Sequence, residues 1–188
     1  MKGPALASNV IELHAAGTQV GALSFEAVYK NHFRQVHRWA TRLAPSLDPE
    51  DVCQDVFVVV NQKLGEFAGR ARITTWLFQI TYRTIGAQLR RERNKRTMLA
   101  LLRWLQPNMP PEPLDSALRA EEIIAVRQAL EALPLKHRSV LVLFELESWS
   151  CADIAEALRV PLDTVYSRLH HARQKLAHKV ALALGGQR

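Results

Sequence analysis

Residues 148–176 read SWSCADIAEALRVPLDTVYSRLHHARQKL, and this stretch decides the fold of the C-terminal half. Ser150 and Asp153 have the spacing of a helix-capping box, so a short helix is expected to begin there. The chain is then predicted to turn at residues 159–160, and Pro161 favours the start of a longer helix. A short helix, a tight turn and a longer helix are typical of a helix-turn-helix unit.

The longer helix of this unit is amphipathic. Its buried stripe is predicted to be Val165, Leu169, Ala172 and Leu176, at steps of four, three and four. Its other sides carry Asp163, Tyr166, Ser167, Arg168, His170, His171, Arg173 and Gln174. In a helix-turn-helix, the second helix contacts base edges in the DNA major groove while arginines hold phosphates. The pattern favours DNA binding, and a plain helical hairpin with a solvated polar face is the alternative.

Apolar residues at three- and four-residue steps predict helices in the rest of the chain as well. Ser24 is predicted to cap a first helix that Pro45 ends, and Asp48 with Pro49 marks the start of a second. A third helix is predicted to begin at Thr74. Its expected buried stripe consists of Trp76, Leu77, Ile80, Thr84 and Leu89.

Four prolines divide the chain into two helical parts. They are Pro107, Pro110, Pro111 and Pro113, and they predict an extended linker over residues 98–115. The linker joins a first domain, residues 23–97, to a second, residues 116–188, and residues 1–22 are expected to form a loose tail. We therefore predict an all-α fold of two small helical domains joined by a Pro-rich linker, with a helix-turn-helix in the C-terminal one.

The charge balance favours a polyanionic partner. Lys and Arg number 25 against 18 Asp and Glu among 188 residues, which gives a formal net charge of +7. The two cysteines, Cys53 and Cys151, argue against a disulfide scaffold or a cysteine zinc site, so a reducing cytoplasm is the expected compartment. No apolar run approaches the roughly 20 residues that span a bilayer, so direct membrane insertion is not expected.

The sequence gives little support for catalysis. The seven histidines lack metal-ligand spacing, and the adjacent pair His170 and His171 cannot share one metal well on a helix. We find no zinc-protease motif, glycine-rich phosphate loop or nucleophile triad. We therefore expect neither an enzyme nor a bound metal or cofactor.

Residues 133–176 resemble the promoter-reading domain of bacterial sigma factors, in particular the extracytoplasmic-function (ECF) group. The matching residues are Leu133-Pro134, Ser150, Asp153-Ile154-Ala155-Glu156, Val160-Pro161, Thr164-Val165, Ser167-Arg168-Leu169 and Ala172-Arg173. The first half matches independently. DPEDVCQDVF at residues 48–57 resembles the family's DAEDLVQETF, and TTWLFQI at residues 74–80 resembles its RTWLYRI.

The resemblance implies three binding surfaces. Binding to core RNA polymerase would fall on Asp51, Gln54, Asp55 and Phe57. Capture and melting of the promoter −10 element would fall on Phe67, Arg70, Arg72, Arg83, Arg90, Arg91 and Arg93. Trp76 could add a stacking surface there, although its place on the apolar stripe favours the core.

Reading of the −35 element would fall on Tyr166, Ser167, His170 and His171 for bases, and on Arg168 and Arg173 for phosphates. The chain departs from the family pattern at several of these positions. Arg159 replaces the usual turn glycine, which predicts strain or a different turn geometry. Tyr166 stands where Lys or Arg is common, and Arg83 where Asn is frequent.

The resemblance implies an ECF sigma factor, a subunit that gives core RNA polymerase its promoter specificity without chemistry of its own. It also implies a sequestering anti-sigma factor, for which the apolar faces between the two domains are a candidate site. The main alternative is a helix-turn-helix regulator that acts without binding core polymerase. A structural helical adaptor would leave both motif sets unexplained.

Overall fold

A computed structural model describes residues 23–105 and 127–185, with side chains described for residues 23–98 and 127–182. Every regular element in these ranges is helical, which confirms the all-α prediction. The elements are α1 (Phe25–Leu43), α2 (Pro49–Lys63), α3 (Ile73–Leu105), α4 (Leu135–Leu141), α5 (Cys151–Leu158) and α6 (Leu162–Gly185). A 3-10 turn, Leu64–Glu66, follows α2, and a π-helical turn, Val142–Leu146, follows α4.

Some of the predictions lie outside the described residues. They concern the tail at residues 1–22, most of the linker, and the start of the second domain, where residues 127–131 are described and helical. Helix α3 continues to Leu105, so the segment predicted as the start of the linker is helical as far as that residue. None of the helices in the described ranges combines the length and apolarity that a bilayer crossing needs.

The helix starts are set by local capping. The Ser24 side chain accepts a hydrogen bond from the Ala27 amide at 3.2 Å, and Asp48 Oδ1 accepts one from the Glu50 amide at 2.8 Å. Ser150 Oγ accepts one from the Asp153 amide at 3.1 Å. All three caps were predicted, because each depends on residues only two or three positions apart.

Helices α1, α2 and α3 pack together as the N-terminal domain. Their largest buried side chains are Val36, Trp39, Leu43, Val52, Val56, Val60, Leu77, Phe78 and Ile85. The stripe predicted for α3 is only partly right, since Leu77 and Ile80 are buried but Trp76, Thr84 and Leu89 are half-buried. Helix α3 packs on α1 and α2 and also on α5 of the other domain, so its buried face is shifted toward Phe78 and Ile85.

Helices α4, α5 and α6 form the C-terminal domain, with α5 and α6 as the predicted helix-turn-helix. Val165, Leu169 and Ala172 of α6 are buried as expected, and Leu176 is half-buried. The turn between the helices places Arg159 at φ 53° and ψ 51°, in the left-handed region. The predicted conflict at this position is confirmed, because a side chain at that φ costs free energy that glycine avoids.

The two domains pack directly on each other. The indole of Trp149 packs against both Trp39 and Phe78, with ring centroids 6.1 Å and 5.6 Å away. The buried guanidinium of Arg138 donates to the Leu43 carbonyl at 2.6 Å, and also to the carbonyls of Glu131 and Leu133. We call this contact, together with the ion pairs of Glu147 described next, the interdomain interface.

Glu147 supplies the charged part of the interdomain interface. Its side chain is 6% exposed and pairs with both Arg42 and Arg38 of α1. Arg72, just before α3, lies 3.7 Å from Asp153 of α5 and adds a more exposed ion pair. The apolar faces that were predicted to be available between the domains are therefore in contact with each other in this structure.

Candidate nucleic-acid and polymerase interfaces

The N-terminal half of α6 presents the predicted base-reading face to solvent. Tyr166 is 53% exposed, and Ser167, His170 and His171 are exposed as well. The buried stripe of Val165, Leu169 and Ala172 holds the helix so that these polar side chains point away from the domain. A helix held in this way can enter a DNA major groove with its first turns against the bases.

The two arginines of α6 lie in different surroundings. Arg168 is half-buried and precedes His171 by three residues, so the two share one side of the helix. Arg173 donates from Nε and Nη2 to Glu145 Oε1 at 2.8 Å and 2.6 Å, and its guanidinium lies 5.4 Å from the centroid of the Phe144 ring. The structure therefore holds Arg173 against the π-helical turn and does not group it with Arg168.

The loop before α3 brings part of the predicted −10 site together. Phe67 packs on Trp76 with ring centroids 5.2 Å apart, and Gly69 has a positive φ of 67° that lets the loop turn. Arg70 is exposed, whereas Arg72 pairs with Asp153 of the C-terminal domain. Trp76 was favoured as a core residue, but it is half-buried and one side of it lines a cavity.

That cavity lies between the N-terminal domain and the turn of the helix-turn-helix. It has a volume of about 370 Å³ and is lined by Lys63, Trp76, Arg83 and Ala87 of the N-terminal domain and by Arg159 of the helix-turn-helix turn. Arg159, the strained turn residue, therefore lines the same cavity as Arg83, a predicted −10 residue. Two separate motifs thus meet at one surface in this arrangement of the domains.

The remaining basic residues of α3 do not form one patch. Arg90 and Arg93 line a cleft of about 800 Å³ between α3 and residues 131–135, and the buried Arg138 forms part of its wall. Arg91 is exposed but does not line that cleft. The predicted −10 arginines are therefore divided among the loop, the cavity that Arg159 lines and the larger cleft, and Arg91 lies outside all three.

The predicted polymerase-binding residues of α2 also separate into two groups. Asp51, Gln54 and Asp55 are exposed, and Asp55 accepts a hydrogen bond from Gln88 of α3 at 2.7 Å. Phe57 differs from these three residues, because it is only 4% exposed and lies inside the domain. Its ring packs instead against the aromatic residues of α1, because α2 is buried on two sides.

Those aromatic residues of α1 also line a groove that is open to solvent. Phe25, Tyr29 and Phe33 recur at steps of four along α1, with centroids 6.3, 4.8 and 6.1 Å from the Phe57 ring. They line a groove of about 470 Å³ with Gln54, Val58 and Asn61 of α2. The four-residue period was visible, but only the fold shows that one edge of this stripe faces solvent.

A second apolar groove lies on the C-terminal domain. It has a volume of about 470 Å³ between the π-helical turn and the second half of α6, and Leu130, Leu141, Val142, Leu146, Leu176 and Val180 line it. The ion pair of Glu145 with Arg173 lies at its rim. No prediction from the sequence concerned this groove.

Potential metal ligands are scattered over the described part of the chain. No group of three or more His, Cys, Asp or Glu side chains there is arranged to hold a metal ion. Burial, with a smaller contribution from Glu50, raises the pKa of Cys53 to about 11, so its thiol is protonated at neutral pH. Cys53 therefore behaves as a core residue of α2.

Comparisons with known proteins match two separate parts of the chain. Residues 28–95 match the family Sigma-70 region 2, and residues 123–176 match Sigma-70, region 4. The fold is similar to that of the sigma factor RpoE from Bartonella quintana, solved in complex with the anti-sigma factor NepR. The TM-score is 0.63 at 20% identity, over 87% of this chain and 98% of that one.

Curated relatives cover most of the chain. The ECF RNA polymerase sigma factor SigM of Mycobacterium tuberculosis is 30% identical over 175 residues, which span 90% of this chain and 82% of the relative. The RNA polymerase sigma factor YlaC of Bacillus subtilis is 30% identical, over 81% of this chain and 90% of the relative. This protein belongs to the ECF family of RNA polymerase sigma factors.

Proposed function

We propose that this ECF sigma factor binds core RNA polymerase and directs it to promoters by reading two separate DNA elements. Residues 23–97 would bind polymerase and capture the −10 element, and residues 116–188 would read the −35 element. The observation that carries this proposal is the presence of both sigma regions, in order, in one chain. A regulator that acts without polymerase would have no need of the first.

The −35 element is assigned to the exposed face of α6. Tyr166, Ser167 and His170 lie on the first turns of the helix, where side chains of a helix-turn-helix meet base edges. Arg168 at the side of this face is placed to hold a phosphate. Arg173 contributes to DNA binding only if it gives up its ion pair with Glu145.

The −10 element is assigned to the loop after α2 and to α3. Opening a promoter requires an apolar or aromatic surface for an unstacked base and cations for the displaced strand. Phe67 packed on Trp76 supplies the first, and the arginines from Arg70 to Arg93 supply the second. Part of this surface faces the C-terminal domain in the packed arrangement, through Arg72 and the cavity under Arg159.

Core polymerase is assigned to the exposed side of α2. Asp51 and Gln54 are solvent-exposed, and Gln54 lines the aromatic groove of α1 and α2. A carboxylate, an amide and an apolar groove together can bind a basic, partly apolar helical partner. Phe57 would contribute to binding as part of the floor of this groove.

We also infer an anti-sigma partner, because the solved sigma factor RpoE from Bartonella quintana was captured with the anti-sigma factor NepR. In the structure described here the faces between the domains are in contact with each other, so such a partner would bind outside the interface or separate the domains. Copurification from the native host tests this, and a chain that always runs without a bound protein would count against it. The sigma factor itself, which binds polymerase and DNA in this proposal, would work in the cytoplasm without catalysing a reaction.

Run-off transcription with purified core polymerase on a pooled promoter library tests the proposed function. The wild-type chain should produce specific start sites, and the enriched promoters would give its −10 and −35 sequences. Asp51→Ala and Asp55→Ala together should abolish them. Because Asp55 also bonds Gln88, the variant Gln88→Ala is the matched control: it removes the hydrogen bond but keeps the carboxylate, and should leave initiation unchanged.

Two other results would overturn the proposal. Sequence-specific DNA binding by the chain alone, without any effect on transcription by core polymerase, would make it a polymerase-independent regulator. Equal loss of transcription in Gln88→Ala and in the double aspartate variant would show that the acidic residues support the packing of α2 on α3 and do not contact polymerase.

A further inference from the structure

The cleft of about 800 Å³ between α3 and residues 131–135 is rich in arginine. Arg90, Arg93 and Arg96 line it from α3 at steps of three residues, so they lie along one side of that helix. Arg138 adds a fourth cation from α4 of the C-terminal domain. We call these four residues the cleft arginines.

The cleft arginines outnumber the carboxylates that share the cleft with them. Only two acidic side chains line it, those of Glu92 in α3 and Glu131 just before α4. Neither of them lies within ion-pair distance of a cleft arginine in the part of the chain that the structure describes. A ligand with two or more negative charges would therefore offset the excess of positive charge in the cleft.

Arg138 distinguishes this cleft from a solvated basic surface. It is only 3% exposed, and its two terminal guanidinium nitrogens donate to backbone carbonyls. Its Nε has no hydrogen-bond partner among the described residues. Burial lowers the pKa of Arg138, and the charge of Glu131 offsets part of that effect. A nearby anion stabilises such a cation strongly, because water and salt screen the attraction less at a buried site.

The shape of the cleft favours a small ligand over a nucleic-acid strand. Its volume lies within the range of about 300–1,000 Å³ that is typical of small-molecule sites. Its two walls come close together at Gly86 of α3, where an added Cβ would lie 3.7 Å from Leu135 Cδ2 of the other domain. A nucleic-acid strand instead needs a groove that follows several consecutive phosphates.

We propose that this cleft binds a diphosphate group, either free as pyrophosphate or carried by a nucleoside diphosphate. The exposed cleft arginines of α3 would hold its oxygens, because a guanidinium group forms paired hydrogen bonds with phosphate. Arg138 would stabilise the charge from the wall. Because the ligand would contact both domains, its binding would favour the packed arrangement over the separated one.

The proposed site does not depend on the proposed function, since binding is measured with the chain alone. The two are connected through Arg90 and Arg93, which were also assigned to the −10 element. A diphosphate in the cleft would therefore compete with promoter DNA for these side chains. In that case the ligand would act as a negative regulator of promoter binding.

Calorimetric titration of the full chain with pyrophosphate, in magnesium-free buffer at one fixed salt concentration, tests the site. The wild-type chain should bind, and Arg93→Gln and Arg96→Gln should each weaken the affinity by about tenfold. Both side chains are exposed, so neither substitution should change the unfolding temperature of the free protein. The matched control is Lys95→Gln, which removes an exposed charge of the same helix outside the cleft and should keep the wild-type Kd.

Glu92→Gln provides a test in the opposite direction. It removes one of the carboxylates that line the cleft, so pyrophosphate should bind more tightly, by up to about tenfold. A substitution that only damaged the fold would not raise the affinity. An unchanged or weaker affinity in this variant would show that the cleft does not hold the anion.

Trp149→Ala tests whether both walls are needed. This substitution weakens the packing of the two domains, so the apparent Kd for pyrophosphate should rise with the fraction of separated molecules. It should double if about half of the molecules are separated. An unchanged Kd in a variant whose domains have separated would contradict a site formed by both domains.

ADP distinguishes the two sources of the diphosphate group. An affinity for ADP equal to or below that for pyrophosphate would assign the site to the free anion. Tighter binding of ADP would assign it to a nucleotide whose base contacts the apolar part of the cleft, formed by Leu89, Leu133 and Leu135.

Three further results would overturn the proposal. The first is the absence of pyrophosphate and ADP binding by the wild-type chain at concentrations up to about 1 mM. The second is an equal loss of affinity in Lys95→Gln, which would show that only the overall charge matters. The third is binding of a single-stranded oligonucleotide without binding of either diphosphate, which would assign the cleft to the −10 surface. Run-off transcription is measured separately, so failure of this site and failure of the proposed function are distinguishable.

Discussion

The two DNA-reading regions of this sigma factor differ in how much of each is open. On α6, Tyr166, Ser167 and His170 face solvent and need no rearrangement to meet DNA. On the N-terminal domain, Arg72 is paired with Asp153, and Trp76 and Arg83 line a cavity that Arg159 helps to close. The helix-turn-helix thus exposes its own reading face while its first helix and turn cover part of the other.

This difference shows that the interdomain interface has two roles. It stabilises the fold, because Trp149, Arg138 and Glu147 bury their side chains against the N-terminal domain. It also limits access, since Arg72 stays paired with Asp153 and Arg159 lines the cavity beside the proposed −10 residue Arg83 until the domains separate. The following predictions test the difference between the exposed face of α6 and the partly covered surface of the N-terminal domain.

Replacing Arg138 should have the largest effect. Arg138→Met removes the charged donor for the carbonyls of Leu43, Glu131 and Leu133, which stay in a largely buried environment. The free energy of unfolding should fall by about 2–3 kcal/mol. Urea denaturation of the full chain measures it. A loss below about 0.5 kcal/mol would mean that the cost of burying this guanidinium cancels its hydrogen bonds.

Replacing Trp149 should weaken the interdomain interface without removing a buried charge. Trp149→Ala deletes the ring that packs on Trp39 and Phe78, so the domains should separate for a larger fraction of the time. Small-angle X-ray scattering should show a radius of gyration larger than the roughly 16 Å of a compact chain of this size. The control is Tyr166→Ala, which removes an exposed aromatic ring of α6 outside the interdomain interface. It should leave the radius of gyration unchanged.

The open region can be tested by its sequence preference. Ser167→Ala should reduce the preference of the holoenzyme for the −35 element over a scrambled one, by about tenfold if the hydroxyl bonds a base edge. Competition binding with the two duplexes measures the ratio. Equal loss of affinity for both duplexes would instead assign Ser167 to phosphate contact.

The smallest expected effect concerns the turn between α5 and α6. Arg159→Gly should stabilise the chain by up to about 1 kcal/mol, because glycine adopts φ 53° without a clash of Cβ. Arg159→Ala is the control, since it removes the same side chain but keeps Cβ and should give no gain. Thermal unfolding compares the two variants, and equal stability would refute the strain.

Local features of this fold could be predicted and long-range ones could not. The caps at Ser24, Asp48 and Ser150 follow from neighbouring residues, so the sequence was sufficient for them. The conflict at Arg159 follows from the family resemblance, in which a glycine is usual at that turn. The burial of Phe57 was missed because it depends on aromatic rings contributed by another helix. The burial of Arg138 was missed for a similar reason, as its partner carbonyl on Leu43 lies 95 residues away in the chain.

The interdomain interface also sets a limit on what the packed chain can touch. Promoter elements centred about 25 base pairs apart are separated by about 85 Å along a duplex. A compact chain of this length is about 40 Å across, so the packed arrangement cannot reach both elements at once. If the separated form is about one molecule in a hundred, apparent affinity for a whole promoter falls about a hundredfold. A partner that holds the domains apart restores that factor without touching DNA.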